Sequence, residues 1–214
     1  MPCYIRSGAD LDGDGDPAGP EHFRVPLGGH HHAVALVEEG RGALPFRLIH
    51  GESLVATAAW AAGEAGVELL DQTVPWDVVV ERGDTLLLHD PLCPMTPPDF
   101  LARCADRAAV TDQVVVGVRP VTDTVKVVVD GSVGATVDRD GLVTVCSPVV
   151  LPSSIVADLL GDGGKLPSTD FAELVTVLRE RYGDERVTFV DAPPQARRVA
   201  SDEDLAVLEA LTTP

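Results

Sequence analysis

The sequence predicts an α/β fold, a Rossmann-like three-layer sandwich, because short apolar strands alternate with helical segments along most of the chain. Five runs rich in β-branched residues are predicted as buried strands, at 33–37, 67–70, 77–80, 85–88 and 114–118. Apolar residues are nearly continuous in these runs, a pattern typical of a sheet that is covered by helices on both faces.

Helices are predicted between and after these strands from their start and stop signals. The predicted helices are 54–65, 97–109, 155–160, 171–182 and 205–211. Ser53 and Thr96 are expected to cap the first two, and Gly66 to end the first. Ser201 with Asp204 resembles a capping box in front of the last.

One stretch departs from this alternation. Residues 124–129, 132–137 and 142–146 are predicted as successive strands joined by two Asp-Gly turns, which suit tight antiparallel hairpins. Valines fall on both faces of the first hairpin, so we expect this protruding β-arm, about residues 122–147, to pack against a second copy of the chain. The alternative is a hairpin that folds back onto its own sheet.

The chain divides into two parts by composition. Residues 1–32 are acidic and rich in Gly and Pro, so we expect a flexible N-terminal segment, whereas residues 33–214 form one domain. The N-terminal segment satisfies the EF-hand calcium pattern from Asp10 to Glu21. A solvated acidic loop is the alternative, because Pro17 stands where that pattern needs an apolar residue.

Charge and hydropathy exclude several classes of partner. The chain has 16 Lys and Arg against 34 Asp and Glu, a formal net charge of -18, which is the wrong sign for binding nucleic acid. No apolar run approaches the ~20 residues that span a bilayer, so we expect a cytoplasmic protein without membrane contact. The four cysteines show no CxxC spacing and are expected to be reduced.

Several blocks, in order and at matching spacing, resemble the 2-C-methyl-D-erythritol 4-phosphate cytidylyltransferase family. The blocks are residues 86–97, 120–126, 136–142, 147–148, 169–170 and 198–205. The resemblance covers about residues 33–212, and several ordered blocks are more specific than any single motif.

This resemblance implies a nucleotidyltransferase fold, a homodimer joined through the β-arms, and a reaction of isoprenoid precursor biosynthesis. In that reaction CTP and methylerythritol phosphate form 4-diphosphocytidyl-methylerythritol and release pyrophosphate. The family resemblance also implies Mg²⁺ as cofactor, bound near Asp90, which follows the predicted strand 85–88. Thr124 and Arg139 match arm residues that contact the substrate phosphate, and Ser147 keeps the hydroxyl of a nucleotide-site threonine.

The match weakens at the glycine-rich loop that holds the triphosphate in this family. Of that loop, Gly40, Arg41 and Gly42 remain as candidate nucleotide-binding residues, and Phe46 stands where the family has a catalytic lysine. Glu38 and Glu39 are expected to repel a triphosphate here.

Arginines are the remaining candidates for the lost positive charge. Lys126 belongs to the arm and Lys165 to a glycine-rich loop, so neither family lysine is present, and Arg47 and Arg198 are the candidate catalytic cations beside Asp90. The sequence therefore leaves two functions open: a cytidylyltransferase that works with arginines, or a catalytically inactive homologue that acts as a dimerising or regulatory module.

Overall fold

A computed structural model describes residues 4–6, 32–70, 76–122, 125–129, 132–139 and 141–213. The calcium-like segment, Thr124, the first Asp-Gly turn and Asp140 of the second turn lie outside the described residues.

Eleven strands are present in the described part of the chain. They are β1 (Tyr4–Arg6), β2 (His32–Leu36), β3 (Leu48–Ile49), β4 (Glu52–Ser53), β5 (Glu68–Leu69), β6 (Thr85–His89), β7 (Val114–Pro120), β8 (Val125–Val129), β9 (Ser132–Val137), β10 (Leu142–Leu151) and β11 (Val187–Asp191).

Six α-helices accompany these strands in the same ranges, together with four short 3₁₀ turns. They are α1 (Leu54–Glu64), α2 (Trp76–Arg82), α3 (Pro98–Thr111), α4 (Ser153–Leu160), α5 (Phe171–Tyr182) and α6 (Asp202–Thr212).

The main sheet is mixed, with strand order β11-β7-β10-β6-β2-β5, and β1 pairs with the first half of β10. Strands β5, β2 and β6 run parallel, as do β7 and β11. Strand β10 runs antiparallel to both of its neighbours, β6 and β7. Residues 142–146, predicted as the third strand of the arm, therefore belong to the main sheet. Strands β8 and β9 pair with each other in a separate two-stranded sheet, and so do β3 and β4.

Helices cover both faces of the sheet, which confirms the three-layer sandwich. Leu86 and Leu88 of β6 pack with α4 and α5, whereas Leu87 packs on the opposite face with α1 and α3. This alternation follows from the two-residue period of a strand. All three leucines are fully buried, as the continuous apolar pattern predicts.

The prediction of a strand at 77–80 is wrong, because these residues lie in α2. Only Val79 of its three valines is fully buried, while Asp77 lies in the first turn and Arg82 in the last. A negative charge in the first turn and a positive charge in the last turn both interact favourably with the helix dipole and so stabilise the helix. A short apolar run does not separate strand from helix, and here packing against α4 decides the outcome.

The predicted helix caps have mixed outcomes. Ser53 caps α1 by accepting a hydrogen bond from the backbone N–H of Ala56, and Ser201 caps α6 through the N–H of Asp204. Thr96 does not cap α3: its hydroxyl donates to the carbonyl of Cys93, and Pro97 occupies the N-cap position. Pro98 follows at the first helical position, where the fixed φ of proline suits a helix start and its missing N–H would have no partner within the helix.

A third apolar cluster holds the C-terminal helix beside the end of β6. Leu205 and Leu208 of α6 pack with Leu92, Val199 and Ile49.

Among the described residues, no helix is long and apolar enough to cross a membrane.

Candidate nucleotide site at the end of strand β6

Asp90 follows the last residue of β6, at the edge of the sheet where α/β proteins bind ligands. Its side chain is only 3% exposed, and both carboxylate oxygens accept hydrogen bonds. The Nε of Arg41 donates to Oδ1 over 3.0 Å, and the Nε of Arg198 donates to Oδ2 over 2.9 Å. The backbone N–H of Leu92 also donates to Oδ1, over 2.9 Å. Asp90 is thus a buried carboxylate between two guanidinium groups.

Arg41 reaches this position from the loop after β2. The flanking Gly40 and Gly42 have φ values of 78° and 60°, in the left-handed region that glycine adopts without steric strain. Besides Asp90, the guanidinium donates to the carbonyls of Thr169, over 2.8 Å, and Glu39, over 3.2 Å. These contacts fix the guanidinium beside Asp90. The assignment of Arg41, Gly40 and Gly42 to nucleotide binding stays a prediction.

Arg198 comes from the segment that leads into α6. The N–H of Val199 donates to the carbonyl of Leu92 over 2.7 Å, which fixes this segment against the loop after β6. The Arg198 side chain is 30% exposed, whereas that of Arg41 is 5% exposed. Of the two cations that flank Asp90, Arg198 is therefore the one that solvent and a ligand can reach.

Ser147 connects β10 to the same site. Its hydroxyl oxygen accepts a hydrogen bond from the backbone N–H of Asp90 over 3.1 Å and is also hydrogen-bonded to Nδ1 of His89. Gly117 on β7 makes this arrangement possible, because a Cβ there would lie 2.7 Å from the carbonyl oxygen of Ser147. Ser147, a predicted nucleotide-site residue, thus positions the backbone of Asp90.

His89 is fully buried beneath Asp90, and burial lowers its pKa from 6.5 to about 4, with the Asp90 carboxylate acting in the opposite direction. Its imidazole is therefore neutral at pH 7. His89 was missed as a separate functional candidate, although it lies within the block 86–97 that carries the family resemblance. The apolar pattern of the strand predicts that His89 is buried, but it predicts no function for this residue.

Three buried cysteines, Cys93, Cys104 and Cys146, lie in the apolar cluster that also contains Leu87, and all three are free thiols. Burial raises the pKa of the Cys93 thiol well above its usual range, and raises those of Cys104 and Cys146 to about 12. Such thiols are protonated at pH 7 and are weak nucleophiles.

Arg47, Phe46 and Arg139 are not brought to Asp90 by any contact that the structure shows. Arg47 is half exposed and forms an ion pair with Asp202 at the start of α6, over 2.8 Å. Phe46, at the position of the family's lysine, is 64% exposed. Arg139 donates to the carbonyl of Thr122 at the base of the hairpin, over 2.5 Å. Its prediction as a substrate-phosphate residue stays a prediction.

The prediction of Mg²⁺ at Asp90 does not fit this arrangement. Mg²⁺ requires oxygen ligands in near-octahedral geometry, but both Asp90 oxygens accept hydrogen bonds from cationic donors. Within the described ranges, no group of three His, Cys, Asp or Glu side chains is placed to hold a metal ion.

An α/β sandwich with charged side chains at the carboxyl ends of its parallel strands belongs to a class of folds that bind ligands, nucleotides among them, at that edge. The family model described as 2-C-methyl-D-erythritol 4-phosphate cytidylyltransferase matches residues 72–213. The chain belongs to this family.

Individual relatives agree with the family model. The cytidylyltransferase of Rhodococcus jostii is 33% identical over 183 residues, which cover 82% of this chain and 70% of that protein. The enzyme of that name from Geobacter metallireducens is 29% identical over 163 residues, covering 75% of this chain and 68% of the relative.

Solved structures support the fold. A 4-diphosphocytidyl-2C-methyl-D-erythritol synthase superposes with a TM-score of 0.65 at 16% identity, covering 86% of this chain and 99% of that one. The cytidylyltransferase of Thermus thermophilus gives a TM-score of 0.60 at 21% identity, with 83% and 96% coverage. At these identities the likeness concerns the fold alone.

Proposed function

We propose that this chain transfers the cytidylyl group of CTP to methylerythritol phosphate, and that Arg41 and Arg198 supply the positive charge for the nucleotide phosphates. The observation that carries this proposal is the meeting of two guanidinium groups, from distant parts of the sequence, at Asp90. A guanidinium carries a permanent positive charge and several N–H donors, which suit it to phosphate oxygens.

The reaction needs positioning and positive charge more than covalent help from the protein. An oxygen of the substrate phosphate attacks the α-phosphorus of CTP, the bond from that phosphorus to the bridging oxygen breaks, and pyrophosphate leaves. Negative charge grows on the oxygens around the α-phosphorus and on the leaving pyrophosphate. Fixed cations at these oxygens lower the barrier, because they need no reorganisation during the reaction.

Arg41 and Arg198 have different tasks in this proposal. Arg41 holds the loop after β2 against β6 and α5 through Asp90 and Thr169, and so gives the nucleotide site its shape. Arg198 is more exposed and contacts the triphosphate. Ser147 keeps the Asp90 backbone in place, and Gly40 and Gly42 allow the loop to turn.

We extend the proposal to a homodimer joined through the β8–β9 hairpin. The two strands pair with each other and stand apart from the main sheet in the described structure. The family resemblance gives Arg139, at the base of this hairpin, and Thr124 the task of contacting the substrate phosphate bound to a second copy. We also propose a cytoplasmic location for the protein.

A pyrophosphate-release assay with CTP and methylerythritol phosphate tests the function. We expect Arg198→Ala to reduce kcat/KM by about 10² to 10³, as for other preorganised electrostatic contacts. Arg197→Ala is the matched control, because the neighbouring Arg197 pairs with Asp204 instead of Asp90. Equal rates for the two variants would contradict the assignment, and no release by the wild-type protein would contradict the function.

A second candidate function, an inactive dimerising homologue, is favoured by one observation: Phe46 places an exposed aromatic ring where the family has its lysine. A non-catalytic chain would release no pyrophosphate but would still sediment as a dimer. For such a chain, we expect Phe46→Lys to leave the rate at background, whereas in an active one it should raise the rate.

A further inference from the structure

We infer that the nucleotide site of this chain binds its triphosphate without a divalent cation at Asp90, and that the Arg198 guanidinium takes the place of that cation. The inference rests on the proposed function, because it concerns how the same site neutralises its substrate. It also accounts for the poor fit between Asp90 and Mg²⁺.

The first observation is how fully Asp90 is engaged. A carboxylate offers about four acceptor positions, and three N–H groups, from Arg41, Leu92 and Arg198, already occupy three of them. A metal ion would find only the remaining position, on Oδ2 beside the Arg198 guanidinium, in a carboxylate whose side chain is 3% exposed. Within the described residues, no group of three His, Cys, Asp or Glu side chains is placed to hold a metal ion.

The second observation is the different restraint of the two arginines. Arg41 donates to Asp90 and to the carbonyls of Glu39 and Thr169, and its guanidinium lies over the ring of Phe171, 5.6 Å from the centroid. A cation with four such contacts remains in place when a ligand binds. A divalent ion on Asp90 would then lie close to the Arg41 charge in a poorly hydrated site, where like charges repel strongly.

Arg198 can serve a ligand without leaving the site. Its Nε contacts Asp90, its side chain is 30% exposed, and the segment that carries it is fixed by the Val199 N–H to the Leu92 carbonyl. A phosphate oxygen arriving from solvent meets this guanidinium before it meets Asp90. The structure therefore favours a triphosphate that contacts the Arg198 guanidinium directly over one that is held through a metal ion on Asp90.

Calorimetric titration with CTP tests the inference on the full-length protein, once in buffer with Mg²⁺ and once with EDTA. We expect the two dissociation constants to agree within about threefold. Arg198→Ala should weaken CTP binding in EDTA at least tenfold, whereas Arg197→Ala should leave it unchanged. Electron paramagnetic resonance with Mn²⁺ alone should show no ion bound to the wild-type protein at Asp90.

The outcomes separate the inference from the proposed function. CTP binding that requires Mg²⁺, or a bound Mn²⁺ signal that Asp90→Asn abolishes, would overturn the inference and leave the cytidylyltransferase proposal in place. Absence of CTP binding in both buffers would remove the proposed function, and the inference with it.

Discussion

Two arginines of the same loop region, Arg41 and Arg47, were both expected at the nucleotide phosphates, and the structure treats them differently. Arg41 is buried and donates to a carboxylate and two carbonyls, whereas Arg47 is half exposed and pairs with Asp202. The difference arises from the chain between them: Gly42 turns it, and the 3₁₀ turn at Leu44–Phe46 takes it to the surface. Of these two basic residues, only Arg41 is directed by the backbone to a buried carboxylate.

Removal of the Asp90 carboxylate should have the largest effect. In Asp90→Ala, Arg41 is left buried without its anion, and we expect the free energy of unfolding to fall by about 3 to 5 kcal/mol. Urea denaturation measures this change. Asp90→Asn keeps the shape of the side chain and should lose less, and equal stability of wild type and Asp90→Ala would show that the buried ion cluster contributes little.

Protonation of His89 should come next. Its pKa is lowered in the folded protein to about 4, so the unfolded chain binds a proton more readily between pH 6.5 and 4. Stability is therefore retained above pH 6.5 and falls as the pH is lowered through this window, by about 3 kcal/mol.

Unfolding free energies measured from pH 7 to pH 4 on wild type and His89→Gln check this prediction. The variant lacks the titrating group, so its stability should change less over the window. Parallel curves for the two proteins would show that His89 does not cause the pH dependence.

Arg41→Ala should have a smaller effect than loss of Asp90, because the carboxylate keeps Arg198 and the Leu92 N–H. We expect a loss of about 2 kcal/mol, typical of hydrogen bonds to charged groups. Thermal unfolding gives the value, and a loss larger than that of Asp90→Ala would contradict the order.

Arg47→Ala should have the smallest effect. Exposed ion pairs contribute between about 0 and 1 kcal/mol, and the pair between Arg47 and Asp202 is exposed on both sides. The same unfolding experiment applies, together with the pyrophosphate-release rate, which should stay within about threefold of wild type if Arg47 lies outside the site. A loss of rate near that of Arg198→Ala would return Arg47 to the catalytic residues.

The sequence was most informative where local pattern and burial coincide. The strands β2, β6 and β7 and the helices α1 and α5 follow directly from apolar runs and capping residues. Helix α2 was mistaken for a strand because a run of three valines has the same composition in either state, and packing decided it. The membership of residues 142–146 in the main sheet depends on pairing with strands β7 and β1, which lie elsewhere in the sequence.

The site was predictable in its residue types but not in its pairing. Asp90 and Arg198 lie in the motif blocks and Arg41 lies in the glycine-rich loop, yet no local rule states that both guanidiniums meet one carboxylate across the fold. The Mg²⁺ site at Asp90 was expected from the family resemblance. That resemblance does not show that two guanidinium groups share the buried space around this carboxylate. Gly117 was missed because the need for glycine at this position arises only from its close contact with the Ser147 carbonyl of β10.

A crystal structure of this protein grown with CTP would test the central claim most directly. The account predicts triphosphate oxygens within hydrogen-bonding distance of the Arg198 guanidinium, while Arg41 keeps its contacts to Asp90 and Thr169. A triphosphate bound through a metal ion on Asp90, with Arg41 displaced from that carboxylate, would contradict it.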